Sequence, residues 1–144
     1  MDRKITDAKE YLSQIRTINI KLKSLARQRQ ALEDSLFNTS PKLSHTPRPA
    51  TRDVHRMDGL IAAKLDIENE MEAASQKLAE VHRTIASVQG GFLSAVLTYR
   101  YIDQKPWVGI ASALHLSESR VYQLHREALA EIEKSINERE VKSA

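Results

Sequence analysis

Between Ser117 and Arg126 the chain reads SESRVYQLHR, and its polar residues are of the types that bond to nucleic acid. Val121, Leu124, Ala128, Leu129 and Ile132 recur at helical spacing, so one face of this segment is apolar. The opposite face, toward the N-terminal end, carries Glu118, Ser119, Tyr122, Gln123 and Arg126. A helix lying in a DNA major groove offers these positions to base edges. The Gln123 amide matches the paired donor and acceptor of adenine, and the Glu118 carboxylate can accept from cytosine N4. Tyr122 can pack on a thymine methyl or bond a phosphate, and the Ser119 hydroxyl is tolerant of either kind of edge. Lys105, Ser117, Arg120 and Arg126 are candidates for phosphate contacts, which set register without reading sequence.

Such a helix must be held by a second one. Trp107, Ile110, Ala111 and Leu114 form another apolar set at helical spacing, and Leu116 stands alone in the narrow gap between the two sets. Ser117 is the expected N-cap of the later helix, its hydroxyl accepting from a free backbone N–H. Ala111 is small, as a steep crossing of two helices over a short turn requires. His115 occupies the turn position that favours positive φ, a region histidine visits more readily than most non-glycine residues. Pro106 fits the first turn of the earlier helix and keeps Lys105 out of helical conformation, so the helix before it should stop near Ile102 or Asp103. The pattern predicts a helix-turn-helix, with Phe92–Ile102 as its first supporting helix; an ordinary helical hairpin is the plainer alternative.

Upstream lie two long heptad patterns. In residues 4–36 the stripe is Ala8, Tyr11, Ile15, Ile18, Leu22, Leu25, Arg29, Leu32 and Leu36. In residues 54–89 it is Met57, Leu60, Lys64, Ile67, Met71, Ala74, Leu78, Val81, Ile85 and Val88. Laid antiparallel, the stripes match in length, and the two polar intrusions, Arg29 and Lys64, fall in one layer, with Glu33 and Glu68 a turn away. Between them, residues 37–53 hold Pro41, Pro47 and Pro49 and read as a linker. Gly90 and Gly91 mark a boundary. The expectation is an all-α chain: an antiparallel coiled-coil hairpin over 1–89, a DNA-binding helix-turn-helix domain over 90–134, and a polar, fraying tail over 135–144. Heptads pair between chains as readily as within one, so a homo-oligomer through the coiled coil stays open.

Composition narrows the class. Aromatics are 5% and charged residues 28% of the 144 residues, which suits long helices better than a large globular core. There is no cysteine, which fits a reducing cytosol, and no leader-like or membrane-length apolar run. The net charge is +3, but residues 90–144 sum to zero. Phosphate neutralisation supplies most non-specific DNA affinity, so a single copy of that segment should bind weakly. A dimer, a second contact surface or a partner such as RNA polymerase would make up the difference. His45, His55, His82, His115 and His125 show no metal-ligand spacing, and no phosphate-binding glycine loop is present. Glu127 and Glu131, one turn apart, read as a solvated face. His125 is expected at the edge of the helix-turn-helix core, with a phosphate contact as the lesser alternative. The reading is therefore of a non-enzymatic protein with no cofactor or metal and no membrane partner.

Two resemblances sharpen it. Residues 97–134 resemble region four of the primary bacterial sigma factors, with Ser117, Arg120, Val121, Gln123, Ala128 and Leu129 on that recognition-helix pattern. The chain from 8 to 134 resembles small ArpU/RinA-like late-gene regulators of Gram-positive phages and prophages. The matching segments are Ala8 to Arg16, Ser40 to Ser44, Asp58 to Lys64, Arg100 to Ala111 and Val121 to Leu129. The resemblance implies a sequence-specific transcriptional regulator of a phage or mobile element, acting on double-stranded DNA in the bacterial cytoplasm at the nucleoid. The alternative is a coiled-coil interaction protein that binds RNA polymerase or another regulator without reading DNA itself. Pro106, Val108 and Gly109 replace a Ser/Thr and two acids common in the phage family. Glu118 and Tyr122 stand where sigma factors often carry Arg, so the resemblance does not specify an operator.

Overall fold

The computed structural model describes residues 2–39 and 50–143, and every regular element among them is helical. Five helices follow one another: α1 (Asp2–Thr39), α2 (Ala50–Ala86), α3 (Leu93–Leu97, continued by a π turn over Thr98–Ile102), α4 (Trp107–Leu114) and α5 (Glu118–Ser143). Both long helices run past the expected linker bounds, so 37–39 and 50–53 are helical. The middle of the expected linker, with Pro41, Pro47 and Pro49, lies outside the described residues. The chain forms two compact units, residues 1–18 with 77–144 and residues 19–76.

The first unit has one hydrophobic core. Ala8, Leu12 and Ile15 of α1 join Val81, Ile85 and Val88 at the end of α2. They share that core with Leu93, Val96 and Leu97, with Ile110 and Ala111, and with Val121, Leu124, Ala128, Leu129 and Ile132. The core thus crosses the boundary expected at Gly90–Gly91. The heptad stripe named Tyr11, yet Leu12 is the fully buried neighbour and Tyr11 is half-buried. A helix covered by several others buries a wider stripe than a two-helix seam does. The Tyr11 hydroxyl instead meets Thr84 Oγ1 at 3.0 Å, and Thr84 Oγ1 donates to the Glu80 carbonyl at 3.0 Å.

α2 stops at Ala86, three residues short of the sequence reading. The Ile85 carbonyl accepts both the Val88 N–H at 3.1 Å and Ser94 Oγ at 3.2 Å, and Gly90 (φ 116°) and Gly91 (φ 46°) turn the chain through left-handed conformations. α3 is expected as a regular helix to Ile102, but its second half widens: the Asp103 N–H reaches back to the Thr98 carbonyl at 3.0 Å. The expected fraying tail is helix to Ser143. Ile136 packs on the core, and Arg139 bonds Glu80 at 3.2 Å and the Tyr11 hydroxyl at 3.3 Å, contacts that hold the last turns.

The second unit is thinner. Leu25 and Ala74 are buried, whereas Leu22, Leu32, Met57, Leu60, Ile67 and Met71 are half-buried. Glu33 pairs with both polar intrusions, lying 3.5 Å from Lys64 Nζ and 3.9 Å from Arg29 Nε, and Lys64 also meets Glu68 at 3.8 Å. The two acids take the charges as their spacing predicts.

Candidate nucleic-acid interface

α4 and α5 meet over a three-residue turn whose local chemistry is complete. His115 closes α4 in the left-handed conformation, φ 57° and ψ 42°. Its N–H bonds the Ser112 carbonyl at 3.3 Å, and the Leu116 N–H bonds the Ala111 carbonyl at 2.9 Å, a Schellman-type ending. Ser117 then caps α5: its Oγ accepts the Arg120 N–H at 3.1 Å and its carbonyl accepts the Val121 N–H at 3.1 Å. Pro106 sits one residue earlier than expected, extended at ψ 157°, and its carbonyl accepts the Ile110 N–H at 3.1 Å. Ala111 is buried, as the close crossing needs.

The base-reading candidates divide into two groups. Glu118, Ser119 and Gln123 are exposed on α5, as are Arg120 and Arg126 of the phosphate group. Arg120 Nη1 donates to Gln123 Oε1 at 3.2 Å, a contact that orients the amide. Tyr122 is exposed as well, at 43%, while its ring also packs on Trp107 of α4 with centroids 5.0 Å apart. Lys105 Nζ lies 4.7 Å from the Tyr99 ring centre, and the Lys105 carbonyl accepts from Arg100 Nη1 at 3.1 Å.

His125 is corrected from the edge of the core to its interior, which takes it out of reach of a phosphate. It is buried, with Nε2 2.8 Å from the Tyr101 hydroxyl and the Trp107 ring edge-on at 4.7 Å. Burial pushes its pKa down to about 4, and the positive charges of Lys9 and Arg100 push the same way. The neutral ring and the Tyr101 hydroxyl share one hydrogen bond whose donor depends on the ring tautomer, and burial raises the pKa of Tyr101 despite Arg100. Arg100 lies 4.4 Å above the Trp107 ring centre.

The sequence reading missed a cationic cleft of about 410 Å³ beside this cluster, in the same unit. Arg16, Ser13 and Thr17 of α1 line it with Arg100, Tyr101 and Gln104 at the end of α3. No single spacing signals it, because α1 and the π turn are more than eighty residues apart and only packing of the shared core brings them together.

The described chain is an all-helical protein with no helix long and apolar enough to cross a membrane among its described residues. It belongs to a family described as proteins of unknown function, DUF1492, whose family model matches residues 40–133. Comparison with curated proteins and with solved structures gives no match.

Proposed function

We propose that this chain is a sequence-specific DNA-binding transcriptional regulator of a phage or mobile element. In this reading α4 and α5 form a sigma-region-four-like helix-turn-helix, and α5 enters the major groove after Ser117. The observation that carries it is the short turn between α4 and α5. A left-handed residue and an N-cap sit where such a motif needs them, and Glu118, Ser119 and Gln123 are left exposed at the start of α5. Arg120, Arg126 and the Ser117 hydroxyl flank that face as phosphate donors, and Gln123 is the base reader on which specificity chiefly depends. Tyr122 serves mainly to hold α5 against Trp107. Arg16 of α1, which lines the cleft beside Arg100, adds positive charge from outside the neutral 90–144 segment.

The same proposal includes an antiparallel hairpin of α1 and α2. It is supported by Tyr11 meeting Thr84 in one unit and Glu33 meeting Lys64 in the other: positions rise along one helix as they fall along the other. The zero net charge of residues 90–144 favours a second reading, in which the chain docks on RNA polymerase and does not read DNA alone. Selection from a pool of randomised duplexes separates the two. Enrichment of one recurrent sequence supports the regulator; a pool unchanged after repeated rounds rejects it and leaves the polymerase-docking reading.

A further inference from the structure

The residue 19–76 unit leaves an apolar face uncovered. Val54, Ile61 and Leu65 are 54%, 51% and 58% exposed. At steps of seven and four they fall on one face of α2, within about 40° of one another. Glu68 and Glu72 continue that face, seven and eleven residues beyond Ile61.

Charge is segregated along the same stretch. Residues 65–76 of α2 hold Asp66, Glu68, Glu70 and Glu72 and no Lys or Arg, while residues 19–31 of α1 hold Lys21, Lys23, Arg27 and Arg29 and no acid. The Glu33–Lys64 contact sets Lys23 and Arg27 within about a turn of the level of Glu72 and Glu68. Yet among the described residues no ion pair joins the basic stretch to the acidic one, and Lys23 and Arg27 make none.

The partner such a surface fits must bring a basic rim to α2 and an acidic one to α1. Nucleic acid meets Glu68 and Glu72 with like charge, and a uniformly acidic or basic protein satisfies only one helix. A second copy of this chain satisfies both. We propose that the residue 19–76 hairpin pairs with its counterpart in a second copy, α1 of each lying along α2 of the other across the Ile61–Leu65 face. With the two-fold axis along the hairpin, Lys23 and Arg27 of each chain stand level with Glu72 and Glu68 of the other, so every pairing occurs twice. The pairing rests on the hairpin reading above, and it gives the assembly two copies of α5, the two-fold arrangement by which helix-turn-helix proteins engage paired half-sites.

The test is sedimentation equilibrium of the full chain. Wild type is expected at twice the 16.3 kDa chain mass at tens of micromolar. Ile61→Lys with Leu65→Lys, both surface positions, should give the single-chain mass with unchanged helicity by circular dichroism. Lys23→Glu with Arg27→Glu, and separately Glu68→Lys with Glu72→Lys, should each weaken dimerisation at least tenfold. Mixed one to one, these two variants should restore a dimer, because each supplies the charge the other lacks. A monomeric wild type overturns the proposal and assigns the face to a different partner. A dimer indifferent to all three variants, or charge variants that lose helicity and are not rescued by mixing, overturns it as well. The hairpin is read separately by closing Glu33→Cys with Lys64→Cys, in a chain without other cysteines, with a short thiol cross-linker. Failure to close within one chain overturns the hairpin and the level pairing with it. Closure alongside a monomeric wild type overturns the dimer alone.

Discussion

Acidification should destabilise this protein through a single histidine. His125 is 6% exposed, with its Nε2 2.8 Å from a Tyr101 hydroxyl that can donate to the ring or accept from it, so burial of the charge, not loss of this bond, is what opposes protonation. Lys9 and Arg100 oppose a third positive charge there. The folded pKa of about 4 lies below the unfolded value near 6.5, so protonation favours the unfolded chain. The contribution is complete above pH 6.5 and is lost as the pH falls from 6.5 toward 4. The full depression corresponds to about 3 kcal/mol, of which about 1.4 kcal/mol is lost by pH 5.5, before most carboxylates titrate. Urea unfolding at pH 7.5, 6.5 and 5.5 measures this loss directly. In a variant carrying His125→Phe and Tyr101→Phe, which removes the orphan hydroxyl along with the imidazole, that part of the slope should vanish. Parallel stability curves for wild type and variant over this range would refute the reasoning. So would a His125 ring that titrates near 6.5 by NMR.

His115→Gly should raise stability, by about 1 kcal/mol or less: the left-handed backbone costs a non-glycine residue roughly 1–2 kcal/mol, and glycine's greater unfolded freedom takes part of that back. A lower urea midpoint would mean that the imidazole makes a contact worth more than the strain. Ending the chain after Lys134 should cost about 1–2 kcal/mol, since it removes the Ile136 packing and the Arg139–Glu80 pair, whereas a frayed tail would cost nothing measurable by thermal melting. Glu33→Ala should cost no more than about 1 kcal/mol although it touches two cations, because all three side chains remain partly solvated; a larger loss in denaturant titration would point to a buried layer.

Features set by neighbouring residues were legible in the sequence. The Ser117 cap, the left-handed His115, the small Ala111 and the stop at Ile102 depend on a few adjacent side chains and backbone groups, and each stands where its residue type requires. The Arg29–Glu33–Lys64 cluster followed from aligning two defects in two stripes. What depended on distant packing was not legible. An apolar stripe records that something covers it, not what, so the ends of α1 and α2 were assigned to the hairpin when they share a core with α3, α4 and α5. That packing also explains why Leu12 displaces Tyr11 from the core and why the last helix persists to Ser143. His125 was placed at an edge because one helix face does not reveal Tyr101 and Trp107 closing over it. The widened turn at Thr98–Ile102, which presents Arg100 to Trp107 and to the cleft, has no signature in spacing.

Sequence reading by α5 is put to the test by a salt titration of wild type and Gln123→Ala on a selected duplex and an unrelated one. Gln123 is exposed and bonds only Arg120 among the described residues, so the variant should fold normally. Wild type should prefer the selected duplex, and Gln123→Ala should lose about 1–3 kcal/mol on that duplex and almost nothing on the unrelated one. Arg126→Ala, run beside it, should weaken both and lower the salt slope by about one unit. Equal affinity of wild type for the two duplexes, at every salt concentration, would contradict the account.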